Sequence, residues 1–221
     1  MAAPRIVVVN PNSNGEVTAG LDRALAPMRL TGGPEIVCET LAEGPFGIES
    51  QADVEAVTLP LARRVRRGDA DAWVIACYSD PGLHVCREVT DRPVFGIAES
   101  GIMAAMQRGD RFGVVAILRR SIPRHLRQLR ALGVTSRLAG ERPLELTVAE
   151  LADERASWGR LLEVGRELEQ LDGADVVILG CAGMARYRRR LEDKLGLPVV
   201  DPTQAAVTSA VGAVVLGQGD V

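Results

Sequence analysis

Cys77 and Cys181 each close the same short segment: residues 70–77 read Ala-Asp-Ala-Trp-Val-Ile-Ala-Cys, and residues 174–181 read Ala-Asp-Val-Val-Ile-Leu-Gly-Cys. A thiol repeated at matching places in two halves of a chain becomes a facing pair if the halves are related by a pseudo-twofold axis. One thiolate can then take a proton from one side of a carbon while the opposite thiol returns a proton to the other side. That is the outline of a two-base proton-transfer site. A single cysteine at a strand end is more often packing than chemistry. The recurrence at equivalent repeat positions is what turns the reading toward chemistry. Cys38 and Cys86 have no repeat partner and are expected to pack.

The residues after each thiol sharpen the expectation. Cys77 runs into Tyr78-Ser79-Asp80-Pro81-Gly82 and Cys181 into Ala182-Gly183-Met184. In open α/β sheets ligands bind beyond the carboxyl ends of the strands. Backbone N–H groups at helix starts there favour a thiolate and an anionic oxygen. Ser79, Asp80, Ala182 and Gly183 are therefore candidate binding positions, and the thiols are expected to be poised toward the operating pH. Asn10-Pro11-Asn12-Ser13-Asn14 follows the first apolar run and combines a turn with an N-cap. Asn10 and Pro11 in it are candidates to hold a carboxylate, carbonyl or ureide. His84, one turn into the helix after Cys77, could tune that thiol but is read as a partly exposed helix histidine, and His125 on an Arg-rich helix carries still less weight.

The elements that must position these groups are legible as Val- and Ile-rich runs of parallel strand type, each followed by a turn and a helical pattern. Strands are expected at Arg5 to Val9, Ile36 to Thr40, Ala72 to Ala76, Val94 to Ile97, Arg111 to Ile117, Val176 to Gly180 and Val199 to Val200. Helical spacing covers Asn14 to Met28, Gln51 to Arg67, Pro81 to Thr90, Glu99 to Gln107, Ile122 to Leu132, Val148 to Leu171, Arg186 to Leu195 and Thr203 to Leu216. The alternation predicts an α/β fold of two pseudo-symmetric Rossmann-like lobes with parallel sheets and the active site in the cleft between them. Residues 1–98 are expected to form the first lobe, joined by the C-terminal helix 203–221, and residues 99–202 the second. Arg137 to Thr147 reads as a surface loop and a candidate lid.

Composition narrows the function classes. The 221 residues are 47% hydrophobic and 25% charged with a net charge of −3, and aromatics are 3%. That leaves neither the positive field nor the stacking platforms for nucleic acid. The arginine clusters at 63–67 and 186–190 are read as solvated helix faces. No apolar run approaches the roughly 18 residues of a bilayer span, and no signal-peptide core is evident. A cytoplasmic location with free thiols is expected. No cysteine or histidine spacing suggests a metal site.

Four motifs, Val9-Asn10-Pro11-Asn12-Ser13, Ala76-Cys77-Tyr78-Ser79-Asp80-Pro81-Gly82-Leu83, Val94-Phe95-Gly96-Ile97-Ala98-Glu99 and Leu179-Gly180-Cys181-Ala182-Gly183-Met184, resemble the aspartate/glutamate/hydantoin racemase superfamily, and within it the hydantoin and allantoin racemases. They span nearly the whole chain. Relatives acting on free aspartate or glutamate typically place Asn-Thr after the first cysteine and Thr-His after the second. This chain has Tyr78-Ser79 and Ala182-Gly183. Hydantoin-type relatives usually carry Thr-Thr where Ala116-Ile117 stands here, so Ile117 implies a more apolar pocket or a different substrate.

The resemblance implies cofactor-independent racemisation of a 5-substituted hydantoin or allantoin-like cyclic ureide, with Cys77 and Cys181 as acid and base. Backbone donors near Ser79-Asp80 and Ala182-Gly183 would meet the enolate oxygen. The expected partner is a small-molecule substrate, with a homo-oligomer implied by the resemblance alone. The alternatives are a maleate-type cis-trans isomerase, a malonate decarboxylase, or a non-catalytic protein that binds a small carboxylate.

Overall fold

In the computed structural model, residues 3–217 are described. Two four-stranded parallel sheets carry the same topology. The first has strands β1 (Arg5–Asn10), β2 (Glu35–Thr40), β3 (Ala72–Ile75) and β4 (Val94–Gly96) in the order β2-β1-β3-β4. The second has β5 (Phe112–Ala116), β6 (Leu138–Pro143), β7 (Val176–Leu179) and β8 (Val199–Val200) in the order β6-β5-β7-β8. One helix follows each strand: α1 (Gly15–Leu25), α2 (Gln51–Arg66), α3 (Leu83–Glu88), α4 (Ile97–Met106), α5 (Ile122–Ala131), α6 (Glu154–Gln170), α7 (Arg188–Leu195) and α8 (Pro202–Leu216). The chain is thus two copies of one βαβαβαβα unit.

The repeated Ala-Asp pair has a structural explanation. Asp71 accepts the N–H of Arg5 at 2.8 Å, and Asp175 accepts the N–H of Arg111 at 3.0 Å. Each aspartate fixes the entry of the central strand of its sheet, while Ala70 and Ala174 are buried beside it. The exits match as well: Ala76 N–H donates to Val9 O at 2.9 Å, and Gly180 N–H to Val115 O at 2.8 Å. Cys77 and Cys181 therefore leave their sheets at equivalent points.

Both faces of each sheet are buried, which is why the strands show no polar alternation. On the first sheet, Val7, Val9, Trp73 and Ile75 pack against Val57, Leu61 and Val65 of α2. Its other face, with Ile6, Val8 and Val74, is covered by Leu21 and Leu25 of α1 and by Ala206, Val207 and Ala210 of α8. On the second sheet, Val115, Val177 and Leu179 pack on Leu161, Val164 and Leu168 of α6. The opposite face, with Val114, Val176 and Ile178, takes Ala98, Ile102 and Ala105 of α4. The last helix of each unit has thus crossed to the other unit's sheet. The crossing is tight: a Cβ on Gly101 of α4 would lie 2.8 Å from Pro202 Cβ of α8. The expected reach of the C-terminal helix to residue 221 falls partly outside the described residues, since 218–221 are not among them.

Helix starts follow from short polar side chains. Asn14 accepts the N–H of Glu16 at 3.0 Å. Ser50 and Asp53 form a reciprocal capping box on α2, with Asp53 N–H to Ser50 Oγ at 3.1 Å and Ser50 N–H to Asp53 Oδ2 at 2.7 Å. Asp153 and Asp201 cap α6 and α8. Asp153 explains why α6 begins later than Val148: residues 144–153 run as a loop with one short 3-10 turn, Glu150–Ala152.

A strand lies where a loop is expected. Residues 138–143 of the expected surface loop are strand β6, paired in parallel with β5 at the edge of the second sheet. The segment Leu-Ala-Gly-Glu-Arg-Pro lacks the β-branched signature of a buried strand. It is held instead by Arg142, whose guanidinium pairs with Asp172 at 2.6 Å and Glu167 at 3.2 Å. The arginine clusters also serve inside the molecule: Arg64 lies 4.8 Å over the Trp73 ring and Arg190 3.8 Å over Trp158.

Candidate active site

Beyond the carboxyl ends of β1, β3, β5 and β7 the two units enclose a small cavity of about 30 Å³, lined by Cys77 and Cys181 together with Asn12, Tyr78, Ser79, Ile117 and Ala182. Val17, Ile48 and Val148 complete its apolar wall, and Ser121, Arg124 and His125 of the second unit supply polar groups. The space holds about two waters.

Each thiol is served by the N–H group two residues further along, that of Ser79 for Cys77 and that of Gly183 for Cys181. The backbone donors expected to meet an enolate oxygen are thus already turned to sulfur. They do not bring the thiols toward neutral pH. Burial dominates and pushes Cys77 up to about 11 and Cys181 up to about 12. Desolvation of the thiolate by the surrounding protein outweighs the two amide dipoles.

The two thiols see different charges. Cys77 is favoured as thiolate by the guanidinium of Arg124 and opposed by the charge of Asp80, whereas Cys77 itself, Glu49 and Asp201 all weigh against the Cys181 thiolate. Arg124 is itself buried and held in place: Nε donates to Ser79 Oγ at 2.8 Å and Nη2 to Ser121 Oγ at 3.0 Å. Burial lowers its pKa, partly offset by Cys77.

The other expected residues divide into two groups. Ser79, Ile117 and Ala182 reach the cavity, while Gly183 contributes its N–H to Cys181 and sits in an adjoining pocket. Asn10, Pro11 and Asp80 are placed otherwise. The Asn10 amide is spent on Asn12 Oδ1, Asn14 O and Thr18 Oγ1, so it builds the turn. Pro11 O packs against Gly44, where a Cβ would lie 2.1 Å away. Within that turn it is Asn12 whose side chain lines the cavity. Asp80 is buried, and its carboxylate accepts the N–H groups of Ala98 and Glu99 at the start of α4, each at 2.8 Å.

Arg124 and His125 escaped the sequence reading because α5 looks like a basic surface helix. His125 is instead buried, with Nδ1 2.5 Å from Glu141 Oε1 and its ring edge-on to Tyr78 at 5.1 Å. His84 is exposed, as expected. Cys86 is fully buried in the first core, and Cys38 is partly buried against the other face of that sheet. Among the described residues, no group of three or more His, Cys, Asp or Glu could hold a metal ion, and no helix is long and apolar enough to cross a membrane.

Residues 6–210 match the family model for Asp/Glu/Hydantoin racemase. A hydantoin racemase from Paenarthrobacter aurescens is 40% identical over 219 residues, covering 96% of this chain and 92% of that protein. The chain belongs to the Asp/Glu/hydantoin racemase family. A hydantoin racemase from a Pseudomonas strain is 38% identical over 97% of this chain. Among solved structures, allantoin racemase from Klebsiella pneumoniae superposes with a TM-score of 0.91 at 30% identity, covering 99% of this chain and 91% of that one. Glutamate racemase from Francisella tularensis shares the fold at a TM-score of 0.70 and 16% identity. As a member of this family the chain is an isomerase of the racemase type.

Proposed function

We propose that this racemase inverts the α-carbon of a 5-substituted hydantoin or a related, allantoin-like cyclic ureide by passing protons between Cys77 and Cys181. The observation that carries the reading is the pair of thiols at equivalent strand ends, facing one cavity and each bonded to the N–H two residues on. In this scheme the thiolate of one cysteine removes the ring proton next to the carbonyl, the electron pair moves onto the carbonyl oxygen, and the opposite thiol delivers its proton to the other face. The thiols have then exchanged roles and serve the other enantiomer in the next turnover. The scheme uses no cofactor.

The asymmetry of charge supports Cys77 as the thiolate and Cys181 as the thiol in the resting pair. The developing enolate oxygen requires donors that are not already turned to sulfur, and Arg124 supplies them. The ring substituent would lie against Val17, Ile48, Ile117 and Val148, an apolar wall in which Ile117 stands where relatives of the hydantoin type usually have threonine. A homo-oligomer belongs to this proposal through the family resemblance.

The test is deuterium incorporation at the α-carbon of single-enantiomer hydantoins and allantoin in heavy water, followed alongside optical rotation. Exchange with loss of rotation, abolished in Cys77→Ser and in Cys181→Ser, is the expected result. Full racemase activity in either variant would sink the two-thiol scheme.

A further inference from the structure

We infer that Arg124 and His125 act together as a donor and acceptor pair that reads one edge of the substrate ring: Arg124 donates to the carbonyl that becomes the enolate, and His125 Nε2 accepts the N–H beside it. This deepens the ureide reading and rests on it. In a hydantoin the edge is C4=O with N3–H.

The pairing follows from what the two side chains have left to offer. Arg124 commits Nε and one Nη2 hydrogen to Ser79 and Ser121, which fixes the guanidinium and leaves its remaining N–H groups as donors in the cavity wall. A guanidinium has no acceptor to give. His125 is constrained from behind. Its Nδ1 lies 2.5 Å from Glu141 Oε1, and both side chains are almost fully buried, at 5% and 2% exposed. A carboxylate can only accept, so Nδ1 carries the hydrogen, and Nε2 is assigned the acceptor role in this proposal. Among the described residues Nε2 has no hydrogen-bond partner, and His125 lines the cavity that holds both thiols.

Glu141 has no function apparent in its own strand. It sits on edge strand β6, buried, with Oε2 lacking any hydrogen-bond partner. A carboxylate held there at a desolvation cost makes physical sense as the group that sets the histidine tautomer. Tyr78, packed edge-on against the ring at 5.1 Å, fixes its plane. A donor and an acceptor lining one cavity match an amide edge, C=O beside N–H. A substrate with two acceptors there, such as a carboxylate or an ester, would leave Nε2 facing another lone pair.

The experiment compares kcat/KM for a 5-substituted hydantoin, its N3-methyl derivative and its N1-methyl derivative in the wild-type enzyme, in His125→Gln, and in His125→Leu combined with Glu141→Met. The double change removes both partners together and so leaves no orphaned carboxylate. The wild type is expected to disfavour the N3-methyl compound by at least about 100-fold. His125→Gln, which keeps an acceptor, should retain most of that discrimination. The double variant should lose it, to under about 10-fold, while the N1-methyl effect stays the same in all three. A folding-independent readout uses the wild type alone: the 15N resonance of His125 Nε2 should shift on adding the parent hydantoin and stay unmoved by the N3-methyl compound. Equal N3-methyl discrimination in all three proteins, or an Nε2 resonance indifferent to the parent, overturns the donor and acceptor assignment and leaves the racemase reading intact. Wild-type enzyme that turns over none of the hydantoins overturns both.

Discussion

The carboxylate of Asp80 occupies the place where Gly96 has no side chain. A Cβ on Gly96 would lie 2.3 Å from Asp80 Cγ, and from this position Asp80 accepts the N–H groups of Ala98 and Glu99 and the amide of Gln128. Helix α4 therefore receives its N-terminal cap from another loop. At the corresponding start of α8 the cap is on the chain itself, where Asp201 accepts Gln204 N–H at 2.7 Å. Asp80 holds a left-handed backbone, φ 42°, a conformation that aspartate tolerates better than most residues.

Removing this cap should destabilise the protein, and Asp80→Ala also removes a negative charge that weighs against the Cys77 thiolate. Asp80→Ala leaves buried amides at the start of α4 without an acceptor, and Gly96→Ala forces the carboxylate out of position. Each is expected to cost about 3 kcal/mol, or roughly 6–12 °C in Tm for a chain of this size. Denaturant and thermal unfolding would check this. A loss of under about 2 °C in both variants would mean that Asp80 is not the cap.

Much of the fold was readable because the repeat carries its own structural logic. Asp71 and Asp175 mark the same strand entry, and the Val-rich runs have no alternative to a sheet buried on both sides. The placement of both thiols at equivalent strand ends was readable for the same reason. What the sequence hid were residues whose role comes from a distant partner. Asp80 reads as a site residue until Gly96 explains it. His125 and Arg124 read as surface until Glu141 and Ser79 bury them, and β6 reads as loop until Arg142 finds Asp172. The expectation of thiols poised near neutrality counted the amide dipoles, whose positions follow from the turn. It omitted desolvation, which depends on how tightly the second unit closes over the first.

That desolvation gives a pH dependence. With Cys77 at about 11 and Cys181 at about 12 in the unliganded enzyme, the thiolate fraction rises about tenfold per pH unit throughout the range below pH 10. Alkylation by iodoacetamide should follow it, with Cys77 ahead of Cys181 and both slower at pH 8 than free cysteine. Peptide mapping by mass spectrometry reports each site separately. A rate that levels off below pH 9 at Cys77 would show that the thiolate is far better stabilised than the buried cavity allows.

Arg124 should account for part of the difference between the two thiols. In Arg124→Gln the positive charge beside Cys77 is gone, and a nearby charge of this kind shifts a thiol by about one pKa unit. Alkylation of Cys77 at pH 9 is expected to fall by about tenfold relative to Cys181. An unchanged ratio would place the guanidinium electrostatically outside the pair. Ser79→Ala, which removes the acceptor at 2.8 Å from Arg124 Nε, should produce a smaller change in the same direction.

Opening of the site should depend on Glu49. The cavity is small, about 30 Å³, and is walled by Ile48 of one unit and Val148 of the other, which are expected to separate when substrate enters. Glu49 ties them shut. Its Oε1 accepts the N–H of Val148 at 3.1 Å and its Oε2 pairs with Arg120 at 2.7 Å, so one carboxylate spans two units of the chain. Val148, which lines the cavity, lies in the 144–153 segment after β6, next to the 137–147 stretch that the sequence suggested as a lid. Glu49→Ala removes a hydrogen bond to a charged acceptor, a contribution of about 1.5–3 kcal/mol. Hydrogen exchange at the Val148 amide should accelerate by at least about tenfold, with the amides of β5 and β7 unaffected. Because the Glu49 charge also weighs against the Cys181 thiolate, the same variant should alkylate faster at Cys181. Unchanged exchange at Val148 would show that packing of Ile48 and Val148, and not the carboxylate, holds the mouth closed.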